Sequence, residues 1–145
     1  GRGMKQPECV AQALEILGPH ARASVRGRRV VISVRYDPTP ELRVRLRSAL
    51  RRLHAPGNHG GNRELDERVT SELTTQLKYL LAQLDRLVVK WDVSLPYNAP
   101  RRLIEEVLGR LLDDLERASR EVEDLSKVVR HVMAYVNEFL RASGR

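Results

Sequence analysis

All seven prolines of this chain fall at or before position 100, and from Ile104 onward apolar residues recur every three or four positions. Ile104, Leu108, Leu111, Leu115, Ala118, Val122, Leu125, Val129, Val132, Val136 and Leu140 form one seam. Only a helix brings residues at that spacing onto one face, so the last third of the chain is predicted to be a long α-helix. Unbroken from Pro100 to Ser143, it would run about 65 Å, longer than a small domain is wide. Such a helix either bends near Ser119-Arg120 and folds back, or takes cover from a partner. Its second half, with Met133, Tyr135 and Phe139 beside the seam, is apolar enough to demand cover. A homodimer through this C-terminal helix is the expected solution, and a bundle bent at Ser119 is the alternative.

A second long helix is expected upstream. Residues 62–95 contain no Gly or Pro, Asn62 is a fair N-cap, and Leu73, Leu77, Leu80, Leu84, Leu87 and Trp91 step by four and three. Pro96 and Pro100 bracket a connector, and residues 54–61 read as a Gly/Pro/Asn loop. Residues 62–143 are therefore expected to form a long-helix bundle or dimerisation region.

The part before it, residues 4–54, reads as helix, hairpin, helix. Val10, Ala13, Leu14 and Leu17 share one helical face, and Gly18-Pro19 stops that helix. Gly27-Arg28 then makes a two-residue turn with Gly at the first central position. The turn sets Arg26 opposite Arg29, Val25 opposite Val30, Ala23 opposite Ile32 and Ala21 opposite Val34. One face becomes apolar and the other collects Arg22, Ser24, Arg26, Arg29, Ser33 and Arg35, with Arg28 at the tip. A slip of one residue would scramble both faces, so the alternation pins the register. After Asp37-Pro38-Thr39-Pro40, a helix to Leu53 buries Leu42, Leu46, Ala49, Leu50 and Leu53, while Arg43, Arg47 and Arg51 recur every four residues outside. The expected fold class is mainly α, with long antiparallel, coiled-coil-like helices and a small N-terminal β-hairpin, in the order α-β-β-α-α-α.

Charge separates the same two regions. Residues 1–62 carry twelve Lys or Arg against four Asp or Glu, and residues 63–145 carry fourteen against fifteen. Arginine outnumbers lysine 22 to 4, which a GC-rich genome or a thermostable surface explains on its own; the clustering between Arg22 and Arg52 it does not explain. Acids on the last helix have local partners three or four residues on, such as Glu106 with Arg110, Asp113 with Arg117, Glu116 with Arg120 and Glu123 with Lys127. A one-sided basic surface is the footprint of a polyanion partner, and arginine's planar fork suits phosphate.

The expected function is non-enzymatic nucleic-acid binding through the phosphate backbone, as an architectural or packaging protein or a small subunit of a nucleoprotein complex. Arg22, Arg26, Arg28, Arg29, Arg35, Arg43, Arg47 and Arg51 are the candidate contacts. Aromatics are 4% of the chain, and only Tyr36 lies near the basic stretch. Base-stacking readers of single strands need such platforms, so duplex is expected, and DNA over RNA. The alternative is a helical protein–protein adaptor whose basic end binds an acidic protein partner.

No catalytic or metal-binding constellation competes. His54 and His59 lack further ligands, the Gly57–Gly61 stretch lacks the Lys-Ser/Thr ending of a phosphate loop, and adjacent acids point apart on a helix. Cys9 is the one cysteine, so no internal disulfide forms and a reducing compartment is expected. With no signal pattern and no run of 18 apolar residues, the expectation is a cytoplasmic protein without a membrane partner, cofactor or small-molecule substrate.

Overall fold

The computed structural model describes residues 8–56 and 62–145. In chain order these form α1 (Glu8–Leu17), a short 3-10 turn (Gly18–His20), β1 (Ala21–Arg26), β2 (Arg29–Tyr36), α2 (Pro40–Leu53), α3 (Arg63–Asp85), β3 (Val89–Pro96) and α4 (Arg101–Ala142). The chain is mainly helical, with a three-stranded antiparallel sheet in the order β1-β2-β3.

The hairpin has the register that its alternation dictates. Ala21 lies opposite Val34, Ala23 opposite Ile32, Val25 opposite Val30 and Arg26 opposite Arg29. Gly27 turns the chain at φ +62°, in the half of the Ramachandran map that a primed hairpin turn requires. Nothing lies within 4 Å of where its Cβ would stand, so Gly27→Ala meets only the backbone penalty. That substitution is expected to cost about 1–2 kcal/mol, read as a shift of the urea midpoint at unchanged slope. No loss would place the turn elsewhere.

The third strand departs from the sequence expectation. Residues 89–95 are not the end of a helix: α3 stops at Asp85, and Trp91 sits in β3 opposite Val34. No Gly or Pro marks the stop. Helix gives way after Arg86, where Arg86 N–H donates to Gln83 O and Leu87 N–H to Leu84 O, the tighter bonding of a helix end. A β2 edge buried on one face needs its backbone groups paired, and β3 pairs all eight residues from Arg29 to Tyr36.

The chain folds as two compact units, each built from separated stretches: Gly1–Asp37 with Val88–Ser119, and Pro38–Leu87 with Arg120–Arg145. In the first, the sheet unit, Val30, Ile32, Val34 and Leu95 bury one sheet face against Val10, Ala13 and Leu17 of α1 and Ile104, Leu108 and Leu111 of α4. Leu14, expected on the buried face of α1, is 40% exposed. Tyr36 and Ser119 share a hydroxyl–hydroxyl hydrogen bond of 2.7 Å.

In the second, the helical unit, Leu42, Leu46, Ala49 and Leu53 of α2 pack with Leu73, Leu77, Leu80 and Leu84 of α3 and Val129, Val136 and Leu140 of α4. Asn62 caps α3 by accepting from Leu65 N–H at 3.0 Å. Thr39 precedes α2 as expected, but its side chain makes no capping bond; the hydroxyl accepts from Arg43 Nε instead.

α4 is helical through Ser119-Arg120 without a break. Its second half takes its cover from α2 and α3 of the same chain, leaving Val129 at 1% and Val136 at 0% exposure. The apolar face for which a second copy was expected is thus closed within one chain. No described helix is long and apolar enough to cross a membrane.

Candidate nucleic-acid interface

Side chains alternate along a strand, so burying Val30, Ile32 and Val34 turns Arg29, Val31, Ser33 and Arg35 outward. Register then fixes the whole outer face. Arg26, Arg29 and Pro96 form one cross-strand row; Ser24, Val31 and Ser94 the next; Arg22, Ser33 and Asp92 the third; Arg35 and Lys90 the last. This face carries five cations, three hydroxyls and one carboxylate. Arg28 adds a sixth cation at the turn, where its carbonyl accepts from Tyr97 N–H at 2.8 Å.

β3 engages two of these arginines. Arg29 donates from Nε to Ser94 Oγ at 2.7 Å and from Nη2 to Ser94 O at 3.1 Å. Arg35 donates from Nη1 to Val34 O at 2.8 Å and Trp91 O at 3.1 Å, and from Nη2 to Asp92 Oδ2 at 3.2 Å. The Ser33 hydroxyl donates to Asp92 Oδ1 at 2.7 Å. That bond, followed by the Arg35 guanidinium, holds the Asp92 carboxyl below the usual carboxylate range, so the face keeps its single negative charge at neutral pH. Arg22, Arg26 and Arg28 are exposed and make no ion pair among the described residues.

The sheet brings two aromatics to the ribbon that sequence order had set apart, Trp91 and Tyr97, 38% and 37% exposed. Spacing by four and three puts Trp91 on a continuing helix seam; the signal against that is the alternation Val89, Trp91, Val93, Leu95 with Lys90, Asp92, Ser94 between. By register Trp91 and Tyr36 belong to the core side of the sheet. No aromatic side chain stands on the cationic face.

The remaining candidates, Arg43, Arg47 and Arg51, lie on α2 in the helical unit. Arg43 is a strut: its side chain is 15% exposed, with Nε on Thr39 Oγ1 at 2.6 Å and Nη1 on Asp85 Oδ1 at 2.5 Å. Arg47 and Arg51 are exposed without an ion pair among the described residues. Beside them, Arg45 pairs with Glu41 at 3.3 Å and Arg52 donates to Asn137. On α4, Glu106 pairs with Arg110, whereas Arg117 takes Asp114 rather than Asp113. His59 and the glycines from 57 to 61 lie outside the described residues.

A groove of about 610 Å³ in the helical unit is bordered by Thr70, Ser71, Thr74, Thr75, Lys78 and Arg145. Thr74 and Thr75 donate back to the carbonyls of Thr70 and Ser71, so two of those hydroxyls serve α3 itself.

No protein-family model matches this chain, and no curated protein or solved structure matches it either.

Proposed function

We propose that the protein binds nucleic acid through the outer face of its three-stranded sheet, contacting duplex phosphates rather than reading bases. One observation carries this. A sheet buried on one side presents Arg22, Arg26, Arg29, Arg35 and Lys90 on the other, against Asp92 alone. Solvated sheet faces usually mix both signs, and a face so unbalanced repels itself unless an anion meets it. The face offers guanidinium forks and hydroxyl donors but no stacking platform, the inventory of backbone contact. A protein of this kind suits an architectural or packaging role, or a place in a nucleoprotein assembly.

The test is a fluorescence-anisotropy titration with random-sequence duplex DNA, single-stranded DNA and duplex RNA. Four or five phosphate contacts give a log–log salt slope of about −4 to −5, a several-hundredfold loss between about 50 and 200 mM salt. Duplex DNA should bind most tightly. Single strands ahead of both duplexes would move the contact to the Trp91 and Tyr97 side of the sheet. No binding at low salt would assign the cationic face to an acidic protein partner, as in a helical adaptor.

A further inference from the structure

Ser33 and Asp92 are direct cross-strand partners at the centre of the cationic face. The Ser33 hydroxyl and the Arg35 Nη2 group converge on one carboxylate, at 2.7 Å on Oδ1 from Ser33 and at 3.3 and 3.2 Å on Oδ1 and Oδ2 from Arg35. A hydroxyl donor beside a guanidinium is a donor set that fits two oxygens of a phosphate equally well. Cations flank it on both sides, with Arg22 opposite Ser33 on β1 and Lys90 opposite Arg35 on β3.

Arg35 does not need Asp92 to stay in place, because Val34 O and Trp91 O hold its other amino group. The ion pair is also open to solvent, with the Arg35 and Asp92 side chains 53% and 63% exposed. Pairs so exposed are weak and readily exchanged for another anion.

Resting on the nucleic-acid reading above, we infer that Ser33 and Arg35 form a phosphate cradle and that Asp92 is its built-in competitor. The carboxylate fills the cradle in the free protein and yields it to a backbone phosphate on binding. Asp92 thereby lowers the affinity of the sheet face for every nucleic acid and narrows binding to ligands that offer enough other phosphates to displace it. A carboxylate that merely oriented Arg35 would have the opposite effect, since its loss would weaken binding.

Asp92→Asn keeps an acceptor for Ser33 and Arg35 while removing the charge. At about 50 mM salt it should bind random-sequence duplex DNA about 3- to 10-fold more tightly than the parent, with a salt slope steeper by about one. In an Arg35→Gln background the same change should bring no gain, because the cradle has lost its fork. Asp113→Asn, an exposed acid on α4 of the sheet unit, measures the general effect of one charge and should change affinity far less. Unchanged or weaker binding by Asp92→Asn overturns the competitor, as does a gain that survives Arg35→Gln or is equalled by Asp113→Asn. A parent protein that binds none of the three nucleic acids overturns the nucleic-acid reading itself, a result distinct from any of these.

Discussion

Asp66→Ala is expected to destabilise the helical unit by about 3–5 kcal/mol, the cost of leaving a buried cation without its counter-charge. The cation is Arg145, whose side chain is 5% exposed, against 6% for Asp66. Its Nη2 reaches Asp66 Oδ1 and Oδ2 at 3.3 Å, and its Nη1 donates to Leu53 O at 2.6 Å. Nε donates to Ser143 Oγ at 3.1 Å, and the guanidinium lies 5.1 Å from the centre of the Phe139 ring. One side chain thus ties the end of α2, the start of α3 and the end of α4. Removing the carboxylate leaves only neutral acceptors around a charge that water barely reaches. Replacing both partners by apolar residues, Asp66→Leu with Arg145→Met, should cost much less than either single change, because no orphaned charge remains. Urea denaturation followed by circular dichroism measures all three variants. A loss below about 1 kcal/mol for Asp66→Ala would mean that solvent or a neighbouring group replaces the carboxylate.

Arg145 shows how a residue can be silent in a sequence and central in a fold. Gly144 at φ +72° ends α4, with Arg145 N–H donating to Leu140 O and Gly144 N–H to Arg141 O. This is the paired bonding of a Schellman stop, and Gly after a long helical run is its ordinary signal. That signal marks where the helix ends. It does not say that the next side chain folds back onto an acid 79 positions earlier.

The hairpin is legible for the converse reason. Its partners are close in sequence, and two alternating strands around Gly27 admit one register that keeps both faces uniform. β3 is not legible, because Leu80, Leu84, Leu87 and Trp91 keep helical spacing straight across the α3–β3 boundary. Both periods fit residues 87–91, and the edge of β2, far upstream, decides between them. The seam on α4 is legible as a helix, but not who covers it. Half faces the sheet unit's core and half the core made by α2 and α3, whose insertion between β2 and β3 only the topology reveals. At the candidate site, the same missing strand hides the partners of Arg29 and Arg35, and distance along the chain hides Asp85 from Arg43.

Those partners decide which arginines to remove. Arg22, Arg26 and Arg28 changed together to Ala are expected to weaken duplex binding about 100-fold at 50 mM salt, since hydrogen bonds to charged groups contribute about 1.5–3 kcal/mol each before solvent competition. The salt slope should fall by about three, one per lost phosphate contact. All three are exposed and unpaired among the described residues, so the fold should hold within about 0.5 kcal/mol. Arg29 and Arg43 make poorer probes: the first also anchors β3 through Ser94, and the second braces α2 against Asp85. Arg47→Ala with Arg51→Ala provides the matching variant in the helical unit. Native circular dichroism with binding lost in the ribbon triple, and largely kept in the α2 double, would confine the interface to the sheet face. The reverse pattern would move it to α2. Equal losses in both would mean that each unit contributes phosphate contacts, with a slope change that sums across the five arginines.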